Sequence, residues 1–386
     1  MANTIINKEV FSSILQSYLR TGNPAIAVCS TRFESNLRPG QQIHVGYPST
    51  VRVQDYSYST DVTIDPTVFT DETLTIQTPK VVSINYDPLQ NMLTASPEWE
   101  DMTAEEAAYQ LSRNLNQYVS DTGADGAVST VAGGALTAGT TFNYLTQIRT
   151  TLSRNRAGEG LRFGLVEPGF IELLTLANIA NGFSRSDEML VNAYKGDANG
   201  FRIYECNDLP CTQALTLGIQ PTAGDTFTLY GQTFEFVATG TAAAAGEISL
   251  GADLTATKVN VLLAINGTGT PGASTYVDFS VDVRRQLLQT QLNASAFSGN
   301  VTTLTGFGRI GGTGVFTSGS NVFGLETCSQ VFGVMNAIDL VVQENPMIQT
   351  NKEPRNASWN ILVFGQWGAK VFYRNTFRLV KGTFYV

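Results

Sequence analysis

Between Gln41 and Tyr86 the chain alternates apolar and polar positions. Ile43, Val45 and Tyr47 are followed by Val51, Val53, Tyr56, Tyr58, Val62 and Ile64. Beyond the acidic Asp71-Glu72 come Leu74, Ile76, Val81, Val82 and Ile84. A period of two, rich in β-branched and aromatic residues, predicts a long antiparallel ribbon entered through a turn at Pro39-Gly40. Arms of about 15 residues would reach roughly 50 Å at ~3.3 Å per residue. A two-stranded ribbon of that reach cannot bury its own apolar face and is marginal alone. It needs a second surface, from its own domain or from a neighbouring subunit.

Elsewhere the period lengthens. Val10, Phe11, Ile14, Leu15, Tyr18 and Leu19 stand at helical spacing over residues 5–20. Thr103-Ala104-Glu105-Glu106 has the form of a capping box, and Ala107, Leu111, Leu115 and Val119 continue it as one stripe, predicting a helix over 103–119. Gly123–Gly139 is rich in Gly, Ala, Ser and Thr and reads as a loop; Phe142, Leu145, Ile148 and Leu152 mark another helix. From Gly164 to Pro210 the order is a strand end, a helix opened by Pro168, a polar loop, and a turn bracketed by Gly196 and Gly200 into a second strand. Phe227/Leu229 and Phe234/Phe236 alternate around Tyr230-Gly231, a hairpin signal. A helical run, Thr255–Asn266, and a Gly/Pro linker, Gly267–Ser274, follow. Texture changes at Gln220, so 220–300 reads as an inserted β-rich module. The chain closes in strands around 362–365, 367–374 and 377–380.

Composition changes this picture in two ways. The 386 residues suffice for two to four domains of ~100–200 residues. Only 15% of them are charged, against ~25% in typical globular proteins. So little charge points to surface covered by partners, with a β-rich monomer as the alternative. The net charge is −9 with no basic tail, which argues against direct nucleic-acid binding. A container that encloses DNA needs no positive face. The first 20 residues lack the features of a signal peptide, and no run of 18 apolar residues exists to span a membrane. Cys29, Cys206, Cys211 and Cys328 suggest no disulfide framework, so a reduced, cytoplasmic protein is expected, with the sequons at Asn266, Asn293, Asn300 and Asn356 unused.

Candidate chemistry is thin. Gly306, Gly308 and Gly311 fit GxGxxG, but no helical period follows where a dinucleotide site needs a helix N-terminus, so a glycine-rich β-loop is expected. The carboxylates Asp71/Glu72, Glu98/Glu100/Asp101, Glu105/Glu106 and Asp187/Glu188 fall at a helix start or in predicted loops. His44 is the one histidine, so every His-dependent mechanism would pass through it. Its place between Ile43 and Val45 reads as a solvated strand position. A zinc site at Cys206 and Cys211 lacks histidine partners. No P-loop is present. No catalytic, cofactor-binding or metal residue is assigned, and no cofactor is expected.

The run Gly200-Phe201-x-Ile203-Tyr204-x-x-Asn207-x-Leu209-Pro210 resembles the A domain of tailed-bacteriophage major capsid proteins of the Hong Kong 97 fold. The ribbon resembles that family's E-loop in order and length. The 103–119 helix resembles its spine helix, and Gly368-x-x-Val371-x-x-Arg374-x-x-x-x-x-Val380 its closing P-domain strands. The resemblance implies an α+β fold: an N-terminal arm (1–38), an extended β-hairpin E-loop (39–88), a first part of the P domain with the spine helix (89–160), and a first part of the A domain (161–219). The inserted small domain (220–300), the rest of the A domain (301–345) and the closing P-domain strands (346–386) complete it. It further implies a structural, non-enzymatic protein that self-assembles into hexamers and pentamers of an icosahedral head. The head would enclose double-stranded DNA without specific binding and be built in the host cytoplasm. A separate scaffolding protein, a portal and decoration proteins are the implied partners, with no membrane. A β-rich decoration or surface-layer protein is the alternative reading, and a carbohydrate-active enzyme a more distant one. Lysine–asparagine cross-links of the chain-mail kind in this fold are not expected, because the only ribbon lysine, Lys80, sits at its predicted base.

Overall fold

The computed structural model describes residues 24–33, 42–58, 61–64, 66–77, 79–86, 99–158, 160–180, 197–352 and 359–385. The helix expected at 5–20, Glu98 and the Asp187/Glu188 pair lie outside these residues. In chain order the elements are α1 (Pro24–Ala27), β1 (Ile43–Pro48), β2 (Phe69–Leu74), β3 (Lys80–Tyr86), α2 (Trp99–Asp125), β4 (Ser129–Ala135), α3 (Ala138–Arg154), β5 (Arg162–Val166), α4 (Pro168–Ala180), β6 (Asp197–Ala198), β7 (Phe201–Glu205) and β8 (Pro210–Leu217). Then come β9 (Thr226–Leu229), β10 (Gln232–Val237), β11 (Glu247–Ser249), α5 (Leu254–Asn266), α6 (Val281–Gln289), β12 (Asn293–Ala294), β13 (Val301–Phe307), β14 (Thr313–Val315) and β15 (Asn321–Phe323). β16 (Thr327–Val334), β17 (Asp339–Lys352), β18 (Trp359–Lys370), α7 (Tyr373–Thr376) and β19 (Leu379–Tyr385) end the chain. The mixture is α+β, as the sequence predicts.

A ten-stranded sheet runs β12-β13-β8-β16-β5-β7-β6, with β15 on β8, β19 on β16 and β4 on β19. β16 is its central strand. It is flanked by β19 on one side and by β5 and β8 on the other, and seven of its eight residues are buried, with Val331 in the core of α2 and Phe332 in the core of α3 and α4 on the opposite face. β5 and β7 are parallel, joined through α4, and Asn199-Gly200 turns β6 into β7 with φ of 50° and 81°. Two successive positive φ values are what a two-residue hairpin needs, and Asn-Gly supplies them at low cost.

α2 is 27 residues long, about 40 Å at 1.5 Å per residue. Its stripe of Ala107, Leu111, Leu115 and Val119 is buried in one core with Val331, Ile338, Val363 and Trp367, which ties it to β16 and β18. The helix starts at Trp99, so Thr103 is inside it and the expected capping box does not open it. On the far side of the sheet, α3 and α4 enclose Phe170, Phe201, Phe332 and Phe384. The Gly/Ala/Ser/Thr-rich stretch expected as a loop holds β4, which pairs in parallel with β19; low side-chain bulk suits this strand as well as a loop.

The 220–300 stretch contains the predicted hairpin, β9 and β10, turning at Tyr230-Gly231. Phe227 stacks on Phe234 at 4.8 Å, and α5 runs from an Asp253 N-cap to Gly267 at φ 61°. A second helix, α6, was not legible. Its Arg284 donates to the carbonyls of Ala264 and Ile265 (2.8 and 3.1 Å) and caps the end of α5, where a cation meets the negative pole of the helix. The four-stranded sheet β11-β10-β9-β14 takes its last strand from beyond residue 300, while β13 returns to the main sheet against β8.

β17, β18 and β3 form a three-stranded sheet. β3 therefore leaves the expected ribbon: Val81 and Val82 pair with Phe364 and Val363 of β18. Near the C-terminus a single strand, β18, replaces two expected ones. Residues 373–376 form α7 instead of continuing a strand.

Candidate assembly surfaces

The ribbon consists of β1 and β2, paired from Ile43–Leu74 to Pro48–Phe69. Its root is fastened to the end of β18 and to α7. Lys370 Nζ donates to the Thr73 carbonyl at 2.8 Å, and the Tyr373 N–H donates to Glu72 Oε2 at 2.9 Å. Leu74 is fully buried with Val341 and Phe372. Tyr47 stacks on Tyr373 at 5.4 Å, nearly parallel.

Past the root the apolar residues have no cover. Val53 is 100%, Tyr58 92% and Ile64 91% exposed, with Val51, Tyr56 and Val62 also exposed. An isolated exposed hydrophobe is ordinary; six of them between Val51 and Ile64 make this stretch a candidate contact site.

A second fastening joins the segment before the ribbon to the main body. Ser30 bridges Asp339 at the start of β17, and Arg32 reaches Asp339 with contacts of 2.8 and 2.9 Å. Asp339 has no exposed surface. Burial pushes its carboxyl above the ordinary range, and Arg32 pulls it part of the way back. Asn116 on α2 adds a polar seam: it accepts from the Ala25 N–H and donates to Cys206 Sγ and Asp208 Oδ2.

The candidate chemical groups do not converge. His44 sits exposed on β1, with Nδ1 at 2.6 Å from Asp71 Oδ2 across the ribbon. Glu72 serves the root, Glu106 binds Gln110 on its own helix, and Glu100 and Asp101 lie in the first turn of α2. Gly306 is the last residue but one of β13, and Gly308 and Gly311 take φ of 76° and 59° in a loop that leads to β14, a glycine-rich β-loop as expected. The cysteines depart from expectation. Cys211 and Cys328 stand opposite each other on β8 and β16 and form a disulfide, which a separation of 117 residues hides from any spacing rule. Cys29 and Cys206 are free and buried, and burial pushes both thiols up, away from the thiolate a metal would need. Among the described residues one set has metal-ligand proximity, Cys211, Glu326 and Cys328. Its sulfurs are bonded to each other and are no longer thiolate ligands, and Glu326, which accepts from the N–H groups of Ile310 and Gly311, is one carboxylate where an ion needs several ligands. Among the described residues no helix is long and apolar enough to cross a membrane.

No protein-family model matches the chain, and no curated protein does. Solved structures do. One of Mycobacterium phage Che8 matches with a TM-score of 0.54 at 12% identity, covering 93% of this chain and 90% of that one. The fold resembles that of phage major capsid proteins. The capsid of cyanophage P-SCSP1u gives a TM-score of 0.49 at 9% identity over 90% and 84% of the two chains. The mature capsid of bacteriophage PhiM1 gives 0.45 at 15% over 89% and 82%. The exposed loop and the two fastenings are candidate contact and anchoring points. Sequence reasoning found the loop and missed Arg32, Asp339 and Asn116, whose side-chain hydrogen-bond partners lie 90 to 307 residues away.

Proposed function

We propose that this chain is a phage major capsid protein that assembles into hexamers and pentamers of a closed icosahedral head enclosing double-stranded DNA. The observation that carries the proposal is the likeness to the Che8 phage structure over nine-tenths of both chains. The uncovered apolar ribbon loop supports it, since a projecting loop of that kind is stable in water only against a second surface. In this reading the ribbon is the E-loop, α2 the spine helix, residues 161–219 and 301–345 the A domain, 89–160 and 346–386 the P domain, and 220–300 an inserted module. The role is structural and not enzymatic. Assembly takes place in the host cytoplasm with a separate scaffolding protein, and a portal and decoration proteins complete the virion. One chain must accept five- and six-fold surroundings, so the ribbon root and the 24–33 segment are where adjustment is expected.

Electron microscopy of the purified protein, with and without co-expressed candidate scaffolds, tests the proposal. Closed shells or capsomer rings are the expected result. Discrete small oligomers under every scaffold and salt condition would favour a decoration or surface-layer role, and a stable monomer would overturn both.

A further inference from the structure

The Cys211–Cys328 bridge joins β8 to β16 out of reach of solvent, its two cysteines being 1% and 0% exposed. Leu215, Leu304 and Ile310 belong to the core that encloses them. A charged group lies beside the sulfurs. Glu326 is itself buried, its Oε1 stands 4.0 Å from Cys328 Sγ, and a carboxylate oxygen lies within 4.8 Å of both sulfurs. Two backbone donors fix this carboxylate: Oε1 accepts from the Ile310 N–H and Oε2 from the Gly311 N–H. The Tyr230 N–H in turn donates to the Ile310 carbonyl at 2.8 Å, so the loop after β13 is pinned next to the bridge. Glu326 makes no ion pair among the described residues. Of the arginines in this region, Arg113 is paired with Asp208 at 2.9 Å, and Arg309 is exposed and acts on Glu167.

A thiol reduces a disulfide when its thiolate attacks one sulfur and the other sulfur departs as thiolate. A carboxylate beside Cys328 opposes this whichever sulfur is attacked. Attack on Cys211 leaves the departing negative charge on Cys328, next to Glu326. Attack on Cys328 brings the incoming negative charge to the same place. Like charges about 4 Å apart repel far more strongly in a buried site than in water.

We infer that Glu326 guards the Cys211–Cys328 bridge electrostatically, holding its reduction by small thiols well below the rate that burial alone would set. The reaction it slows is balanced by the reductant: two thiols become one disulfide, and their two electrons and two protons end on Cys211 and Cys328. The guard acts within one chain and does not depend on assembly. Its use follows from the reading above, since a head built in a host cytoplasm meets thiols that reduce accessible bridges.

The test is the rate of bridge reduction in the folded full chain, read by alkylation and mass spectrometry. Two reductants are compared, cationic cysteamine and anionic mercaptoacetate, each scaled to its rate on the urea-unfolded chain. The natural chain should favour cysteamine by about tenfold or more, because the carboxylate attracts one and repels the other. Glu326→Gln should speed reduction by mercaptoacetate by about tenfold or more and bring the two scaled rates together. If both rates rise and their ratio is kept, Glu326 only pins the loop, and the electrostatic guard is overturned. Equal scaled rates in the natural chain would overturn it without any variant, as would four free thiols in the untreated protein. None of these outcomes touches particle formation, so the capsid reading is decided separately by electron microscopy.

Discussion

Arg32 Nε lies 2.8 Å from Asp339 Oδ1, joining an exposed guanidinium to a carboxylate with no exposed surface across 307 residues of chain. The Arg32→Met variant leaves that carboxylate buried without its partner. Loss of one member of such a pair costs about 1–3 kcal/mol, and half-exposed Arg32 places this case near the lower end. The carboxyl already sits above its ordinary 3.8 because of burial. A carboxyl raised in the folded state contributes stability that is full below its unfolded value and is lost as pH rises through the folded value. Removing Arg32 raises the folded value further. Urea unfolding should therefore show a larger loss for Arg32→Met at pH 7 than at pH 4, and an added Asp339→Asn should erase the difference. Equal losses at both pH values would contradict this account.

The Cys211–Cys328 bridge closes a loop of over one hundred residues, which contains the whole 220–300 stretch. Chain-entropy reasoning puts its contribution at about 3–5 kcal/mol. Alkylation of the denatured, unreduced protein followed by mass spectrometry should label two cysteines, Cys29 and Cys206. Reductant should lower the unfolding temperature of the natural chain and leave that of Cys211→Ser, Cys328→Ser unchanged. Four labelled thiols would show that the bridge does not form.

The Leu217 N–H donates to the Asn300 carbonyl at 2.8 Å, so the two ends of the 220–300 stretch already meet. Excision of 219–299 with a short Gly/Ser bridge should leave a soluble protein that still unfolds cooperatively. It should be less stable than the full chain, because β14 loses β9 and Leu215 and Leu304 lose part of a shared core. Calorimetry of the excised protein checks this, and a transition without cooperativity would show that the stretch is integral to the fold.

Lys80 opens β3 and pairs with Gly365 of β18, within its own subunit's three-stranded sheet. An isopeptide with a neighbour needs a lysine that reaches that neighbour, and Lys80 is held at the end of its own subunit's sheet. Purified particles boiled in detergent and reductant should run as one band near 41.6 kDa. A covalent ladder that persists in reductant and vanishes in Lys80→Ala would refute this.

Much of the local structure was determined by the sequence alone. The stripe from Ala107 to Val119 specifies a helix, Tyr230-Gly231 a hairpin turn, and the alternation from Ile43 to Tyr47 a strand, because each signal acts within a few residues through φ/ψ preference and periodic burial. The ribbon loop, the chief part of the candidate contact surface, was legible for the same reason: too many apolar residues stood where no core could reach them. What tertiary structure alone decided is which distant pieces meet. Val82 has the same alternating context as Val45, yet one pairs with β18 and the other with β2. Cys211 is near Cys206 in sequence but bonds to Cys328, and Arg32 finds Asp339 at the opposite end of the chain. Periodicity states that a face is apolar and not which face will cover it. That choice rests on the closure of long loops and the packing of whole layers, which no window of neighbouring residues contains.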